Sequence, residues 1–308
     1  MKETNLSAAP GKGNLASKAG AILLGVGAYF GIIGALHFYV PAVQPWMHLN
    51  LGGGGQALVG ATCALAGTLL LLLADDLRSR PGAATALLAV GAVALIIGSA
   101  IGLFAAPAEQ FMGETQRIMY VHVPTAWSAL LAITFGFGCA IAFLFNGDFR
   151  YDSRLEASIE VGVLFAFLLC VQGAIWAKPT WGVWWDWDPR LTTTAVLLFA
   201  FLGILALRNF VDDPVKRGIW SSVATIIAFV DVPIIYFSVR WWNSLHQVQS
   251  TPDTVASPFH LPLRISAFGI LFLMIGFIML RARIADQRLQ QELTAPPEMM
   301  GEEAGELA

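Results

Sequence analysis

The residues best suited to chemistry lie in Trp176-Ala-Lys-Pro-Thr-Trp181-Gly-Val-Trp184-Trp185-Asp186-Trp187-Asp188-Pro189-Arg190, which holds five of the ten Trp in the chain. Long apolar segments flank this stretch, so it forms an aromatic shelf at the end of two hydrophobic helices. Indole rings, with an apolar body and one polar N–H, serve two ends. One is the interfacial belt of a membrane protein. The other is a platform for a large flat ligand. A belt needs one or two Trp per helix end, whereas Trp181 to Trp187 holds four, with a Gly and two Asp nearby.

Two histidine motifs bracket the shelf. In Tyr120-Val-His122-Val-Pro124, Pro124 suits the first turn of the following helix, where its missing N–H costs nothing. That places His122 just outside the helix. In Tyr236-Phe-Ser-Val-Arg240-Trp241-Trp242-Asn243-Ser-Leu-His246-Gln247, a helix continued past the membrane would put Trp242 and His246 on one face. Either His alone reads as a solvated interfacial residue. Two of them on separate loops, with the shelf between, point to one site. Haem suits this set: its iron takes axial imidazoles, its macrocycle is flat and apolar, and its propionates want Arg or Lys. Zinc would want three or four ligands at shorter spacing. Lipid-linked sugars also stack on Trp but leave the paired His without a role. Lys178, Arg190, Arg117 and Arg240 are candidate partners for propionates, and Arg117 and Arg240 are favoured for their closeness in sequence to the two His.

The elements that must position these groups are membrane helices. The chain is 56% hydrophobic and 13% charged, with a mean hydropathy of +0.66, against roughly 25% charged for a soluble domain. A net charge of −3 and the lack of a basic run give no support to nucleic-acid binding. Cys63, Cys139 and Cys170 lie in apolar segments without a C-x-x-C, so neither a thiol relay nor a covalent haem motif is present. A spanning helix needs about 20 apolar residues. Eight segments qualify, near 19–40, 57–74, 83–106, 124–145, 157–177, 191–207, 219–239 and 263–280, with breakers at Pro41, Pro81-Gly82, Pro107 and Pro262. The first is expected to be a retained helix, not a cleaved signal. The fold class is therefore an all-α polytopic membrane protein of eight transmembrane helices. It divides into a disordered cytoplasmic 1–18, a two-helix hairpin at 19–82, a six-helix core at 83–285 and a disordered cytoplasmic tail at 286–308.

Charge sets the expected orientation. With both termini in the cytoplasm, only Arg117, Lys178, Arg190, Arg240 and Arg264 of the 18 Lys and Arg fall outside, as the positive-inside rule favours. The shelf and the loops at 107–123 and 240–262 then share the outer face.

At these motifs, together with Leu191-Thr192 and Val232-Pro233, the chain resembles the haem-handling proteins of cytochrome c maturation, and within them the CcmC type. The resemblance covers about residues 83–285. It implies haem b as cargo, with His122 and His246 as axial ligands of the iron. It implies a haem platform at Trp181, Trp184, Trp185, Asp186, Trp187 and Asp188, with Arg117, Arg240, Trp241 and Trp242 beside it. It also implies presentation of haem to a CcmE-like periplasmic chaperone and association with CcmA–CcmB and CcmD, in the bacterial cytoplasmic membrane. The two N-terminal spans depart from the family's six. Asp188-Pro189 is closer to the CcsA and CcmF synthase branches. The alternatives are therefore a synthase acting directly on apocytochromes, or a haem permease. No phosphate-binding G-x-x-x-x-G-K-[ST] loop occurs, so ATP use is expected from a partner and not from this chain. His37, His48 and His260 read as interfacial or solvated. Asp231, about 12 Å inside a helix end at 1.5 Å per residue, is costly there and hence a functional candidate, and Pro233 is expected to kink the same helix.

Overall fold

A computed structural model describes residues 12–36, 53–74, 81–247 and 254–294. His37 and His48 lie outside them. The described residues form α1 (Lys12–Leu36), α2 (Gly53–Leu73), α3 (Pro81–Phe104), α4 (Met119–Asn146), α5 (Phe149–Trp181), α6 (Pro189–Phe210), α7 (Pro214–Phe229), α8 (Asp231–Trp241) and α9 (His260–Thr294). Short 3-10 turns at Glu114–Ile118 and Ser257–Phe259 lead into α4 and α9. Among the described residues, six stretches are long and apolar enough to cross a membrane: Gly82–Phe104, Glu114–Asn146, Phe149–Trp181, Pro189–Phe210, Pro214–Trp241 and Ser257–Thr294. The described parts of α1 and α2 contribute the apolar stretches Ala16–Ile32 and Val59–Leu73.

Two boundaries correct the sequence reading. Helix α1 begins at Lys12, inside the segment expected to be disordered. Helix α9 runs on to Thr294, into the first part of the expected tail, the rest of which lies outside the described residues. Its last turns are held by ion pairs, Arg217 with Glu292 and Arg288 with Glu156, and by the buried Leu289.

Helix α9 is central. Met274, Ile275 and Ile278 are almost wholly buried, among residues of α4 and α5 such as Ile133, Leu155 and Ile159. In lipid no hydrophobic difference drives helices together, so close packing of small residues does. A Cβ on Gly269 would lie 2.7 Å from the Leu95 nitrogen of α3, and one on Gly67 of α2 would lie 2.6 Å from the Leu24 nitrogen of α1. The α1–α2 hairpin is pinned to the core by two arginines. Arg264 Nη1 donates to the Gly31 carbonyl at 3.0 Å. Arg154 donates to the Leu72 and Leu73 carbonyls, each at 3.1 Å, and so satisfies orphan acceptors at the C-terminus of α2.

One end of the bundle is ionic. Arg208 binds Asp152 through two bonds of 2.7 and 2.9 Å and Glu156 at 2.7 Å. The Arg208 and Asp152 side chains are only 5% and 3% exposed, so each charge depends on the other. Arg281 pairs with Glu160 nearby. The expected kink is present: α7 ends at Phe229 and α8 restarts at Asp231, with Pro233 removing the N–H that would reach the Phe229 carbonyl.

Candidate functional site

Four backbone events gather the site at the other end. Helix α5 stops at Gly182, whose φ of 80° is left-handed, a conformation that costs a residue with a Cβ. Its N–H closes on the Lys178 carbonyl at 3.0 Å. The chain then crosses the Trp shelf to Asp188, which caps α6 by accepting the Arg190 amide at 2.9 Å, with Pro189 in the first turn. Helix α4 starts at Met119, so His122 sits in its first turn and not outside it, and Pro124 lies within the helix. Helix α8 stops at Trp241, and Trp242 is extended. The expected helical face shared by Trp242 and His246 therefore does not form. Asp188 takes the loop instead: its Oδ2 accepts the Leu245 amide at 2.7 Å, and its Oδ1 lies 3.4 Å from His246 Nδ1.

The result is one chamber with two lobes, about 190 and 110 Å³, both lined by His122, Gly173, Trp176, Leu191, His246 and Gln247. The rings interlock edge to face: His122 against Trp176 at 5.4 Å and His246 against Trp181 at 5.0 Å between centroids. Gly173 makes room for this, since a Cβ there would sit 3.2 Å from His122 Cε1. Arg190 and Trp185 line the larger lobe. The His122 Nδ1 and the Trp176 indole nitrogen are buried without a hydrogen-bond partner among the described residues, whereas His246 Nδ1 faces Asp188. Such groups are costly unless a ligand satisfies them.

The electrostatics favour a neutral imidazole beside a carboxylate. Burial pushes the Asp188 carboxyl up, but the Ser244 hydroxyl, the Leu245 and Arg190 amides and His246 outweigh it and hold it below the ordinary aspartate value. Burial, and then Arg190, hold His246 below the ordinary imidazole value against the pull of Asp188. A neutral imidazole is the form that binds a metal.

The remaining expected site residues divide by placement. Trp181 and Trp185 are partly buried at the chamber, and Asp188 stands beneath the loop. Trp184, Trp187, Trp241 and Trp242 are exposed, outside its lining. Asp186 is exposed and accepts the Trp187 amide. Arg117, favoured from the sequence, is turned away: it pairs with Glu114 and donates to the Gly102 and Ala106 carbonyls at the end of α3. Arg240, also favoured, is exposed and not in the lining. Lys178 donates to the Gly182 carbonyl at 2.9 Å. Arg190 is the one cation of the four that reaches the chamber. Sequence reasoning also passed over Gly173, although its i,i+3 spacing to Trp176 puts both on one face of α5. His260 is partly buried and not a loop residue: it starts α9 and its Nε2 meets the Val255 carbonyl at 2.7 Å. Asp231, with a buried and unpartnered Oδ2, is not in the chamber lining.

Comparison with known proteins agrees with these motifs. The profile of the family described as CcmC, heme exporter protein C, matches residues 77–295. Heme exporter protein C of Haemophilus influenzae is 40% identical over 200 residues, 62% of this chain and 80% of its own length. Its counterpart in Escherichia coli K12 is 36% identical over 193 residues, 62% and 78%. That of Bradyrhizobium diazoefficiens is 35% identical over 212 residues, 65% and 79%. Helices α1 and α2 precede the matched region, which takes in the whole chamber, and the chain belongs to the heme exporter protein C family.

Proposed function

We propose that this chain is a multi-pass protein of the bacterial cytoplasmic membrane that delivers haem for cytochrome c maturation. Haem is held at the outer face by His122 and His246. The observation that carries this reading is the convergence of two imidazoles, from the start of α4 and the loop after α8, on one chamber, His246 oriented by Asp188. Two imidazoles from separate elements suit the two axial positions of haem iron. Arg190 stands for the propionates. The two lobes together fall at the low end of small-molecule sites, roughly 300–1,000 Å³. The macrocycle therefore projects from the chamber along the shelf, where Trp184 and Trp187 are 59% and 78% exposed. Those rings are placed to meet both cargo and acceptor. In this reading α1 and α2 also span the bilayer, giving eight spans with both termini inside, as the distribution of Lys and Arg favours. The acceptor is a haem chaperone of the CcmE kind, within an assembly of CcmA, CcmB and CcmD.

The test is spectroscopic. Purified protein should show a low-spin, bis-imidazole haem spectrum. His122→Ala and His246→Ala should each abolish it, and full low-spin haem in both variants would overturn the assignment. Co-purification distinguishes the acceptors, since capture of an apocytochrome in place of a haem chaperone would point to direct synthase activity.

A further inference from the structure

A larger cavity lies elsewhere. It is about 540 Å³ and runs along the seam between the α1–α2 hairpin and the core, walled by α1, α2, α4 and α9. Its lining is apolar along most of its length, with Leu65, Leu131, Phe268 and Leu271 among the contributors. On α4 the lining runs from Pro124 to Thr134, and on α9 from His260 to Leu271. At 1.5 Å per residue these runs are about 15 to 17 Å long, close to half of a hydrocarbon core of about 30 Å. The groove therefore has the length of one leaflet.

Its polar groups are few and uneven. Thr134 bonds to the Leu130 carbonyl at 2.7 Å, and His260 Nε2 meets the Val255 carbonyl. Arg264 lies one turn into α9, toward the His260 end of the groove. Of the five N–H donors on a guanidinium, it uses one on the Gly31 carbonyl among the described residues. Among the described residues, no acidic side chain lines the groove. A partly buried cation at one end of an apolar, leaflet-long groove is complementary to one class of molecule, an acyl chain carrying an anionic head.

We infer that this groove is a binding site for one anionic phospholipid, its phosphate on Arg264 and an acyl chain along the α4–α9 seam. The site is built partly from α1 and α2, which precede the region matched by the family. It has a consequence for the core, because Trp127 and Leu130 line both the groove and the larger lobe of the His chamber. A lipid chain in the groove backs that wall from the membrane side. The inference does not depend on what the His chamber binds.

Native mass spectrometry of the full chain tests it. Detergent-washed protein is mixed with vesicles of phosphatidylglycerol or of phosphatidylcholine. One phosphatidylglycerol should be retained per chain, about tenfold better than phosphatidylcholine. Arg264→Gln should erase that preference, Arg264→Lys should keep most of it, and Ala267→Phe should expel both lipids by filling the groove. The comparison of the two vesicles on the unaltered protein stands even where a variant fails to fold. Three results would each overturn the inference: no retained lipid, equal retention of the two lipids, or a haem adduct in place of lipid that Arg264→Gln removes.

Discussion

Asp188 offers the sharpest single perturbation, because one buried carboxylate joins two separate elements of the chamber. It caps α6 through the Arg190 amide and holds the His246 loop through the Leu245 amide. Loss of an N-cap costs about 1 kcal/mol, and a hydrogen bond to a charged acceptor contributes about 1.5–3 kcal/mol. Asp188→Ala should therefore destabilise the ordered loop by about 1.5–3 kcal/mol, roughly 10- to 100-fold in its population at 1.4 kcal/mol per factor of ten. The further loss of about 1 kcal/mol falls on the first turn of α6. Two readouts follow. Amide exchange at Leu245 should speed up by that order, and haem titration of the purified protein should show an affinity loss of similar size with less low-spin signal. Asp188→Asn keeps one acceptor oxygen without the charge and should fall between, at about tenfold. Unchanged Leu245 exchange together with unaltered haem affinity in Asp188→Ala would refute this account of the site.

Four further outcomes can be measured. Gly182→Val forces a β-branched residue into the left-handed cap and should cost about 1–3 kcal/mol, read as a lower melting temperature. Asp152→Asn removes one of the two carboxylates on the buried Arg208 and leaves Glu156, and should destabilise by about 1–3 kcal/mol, less than the loss of a sole partner, seen as aggregation on mild heating in detergent. Arg190→Gln should weaken haem retention about tenfold, the value of a charge-assisted bond, whereas Arg117→Gln should leave the haem spectrum unchanged; a reversed pattern would restore the assignment favoured by sequence. Acid should act through Asp148, which caps α5 and is held below the ordinary aspartate value: burial opposes this, and bonds from Arg150 outweigh it. A carboxyl lowered on folding stabilises above its unfolded value, about 3.9, and that stability disappears as pH falls through the folded value. The acid limb of an unfolding curve should therefore shift to higher pH in Asp148→Ala.

The α4–α5 and α6–α7 turns show how much local sequence can decide. Gly147-Asp148 and Asp213-Pro214 carry their own stop and start signals, and the structure places caps there. The kink at Val230 was legible for a similar reason, because Pro233 cannot donate to the carbonyl one turn back. The end of α8 was not legible. Tyr236 to His246 reads as one continuing helix, yet the chain leaves the helix at Trp242. The Leu245 amide, three residues on, is bound by Asp188, 57 positions away in sequence.

The division between what was readable and what was not follows the range of the forces. Apolar runs of membrane length, the Trp shelf and the two His motifs are properties of neighbouring residues, and they alone were enough to indicate membrane helices, a two-imidazole site and a family. Which cation lines that chamber was a tertiary question. Arg117 and Arg240 lie nearer the His residues in sequence, but helix geometry spends the first on the carbonyls of α3 and leaves the second exposed. Arg190, just past the Asp188 cap, is carried into the chamber by the first turn of α6. The leaflet-long groove is the extreme case. Its walls come from four helices, and no local pattern in any one of them announces a cavity that exists only where the hairpin meets the core.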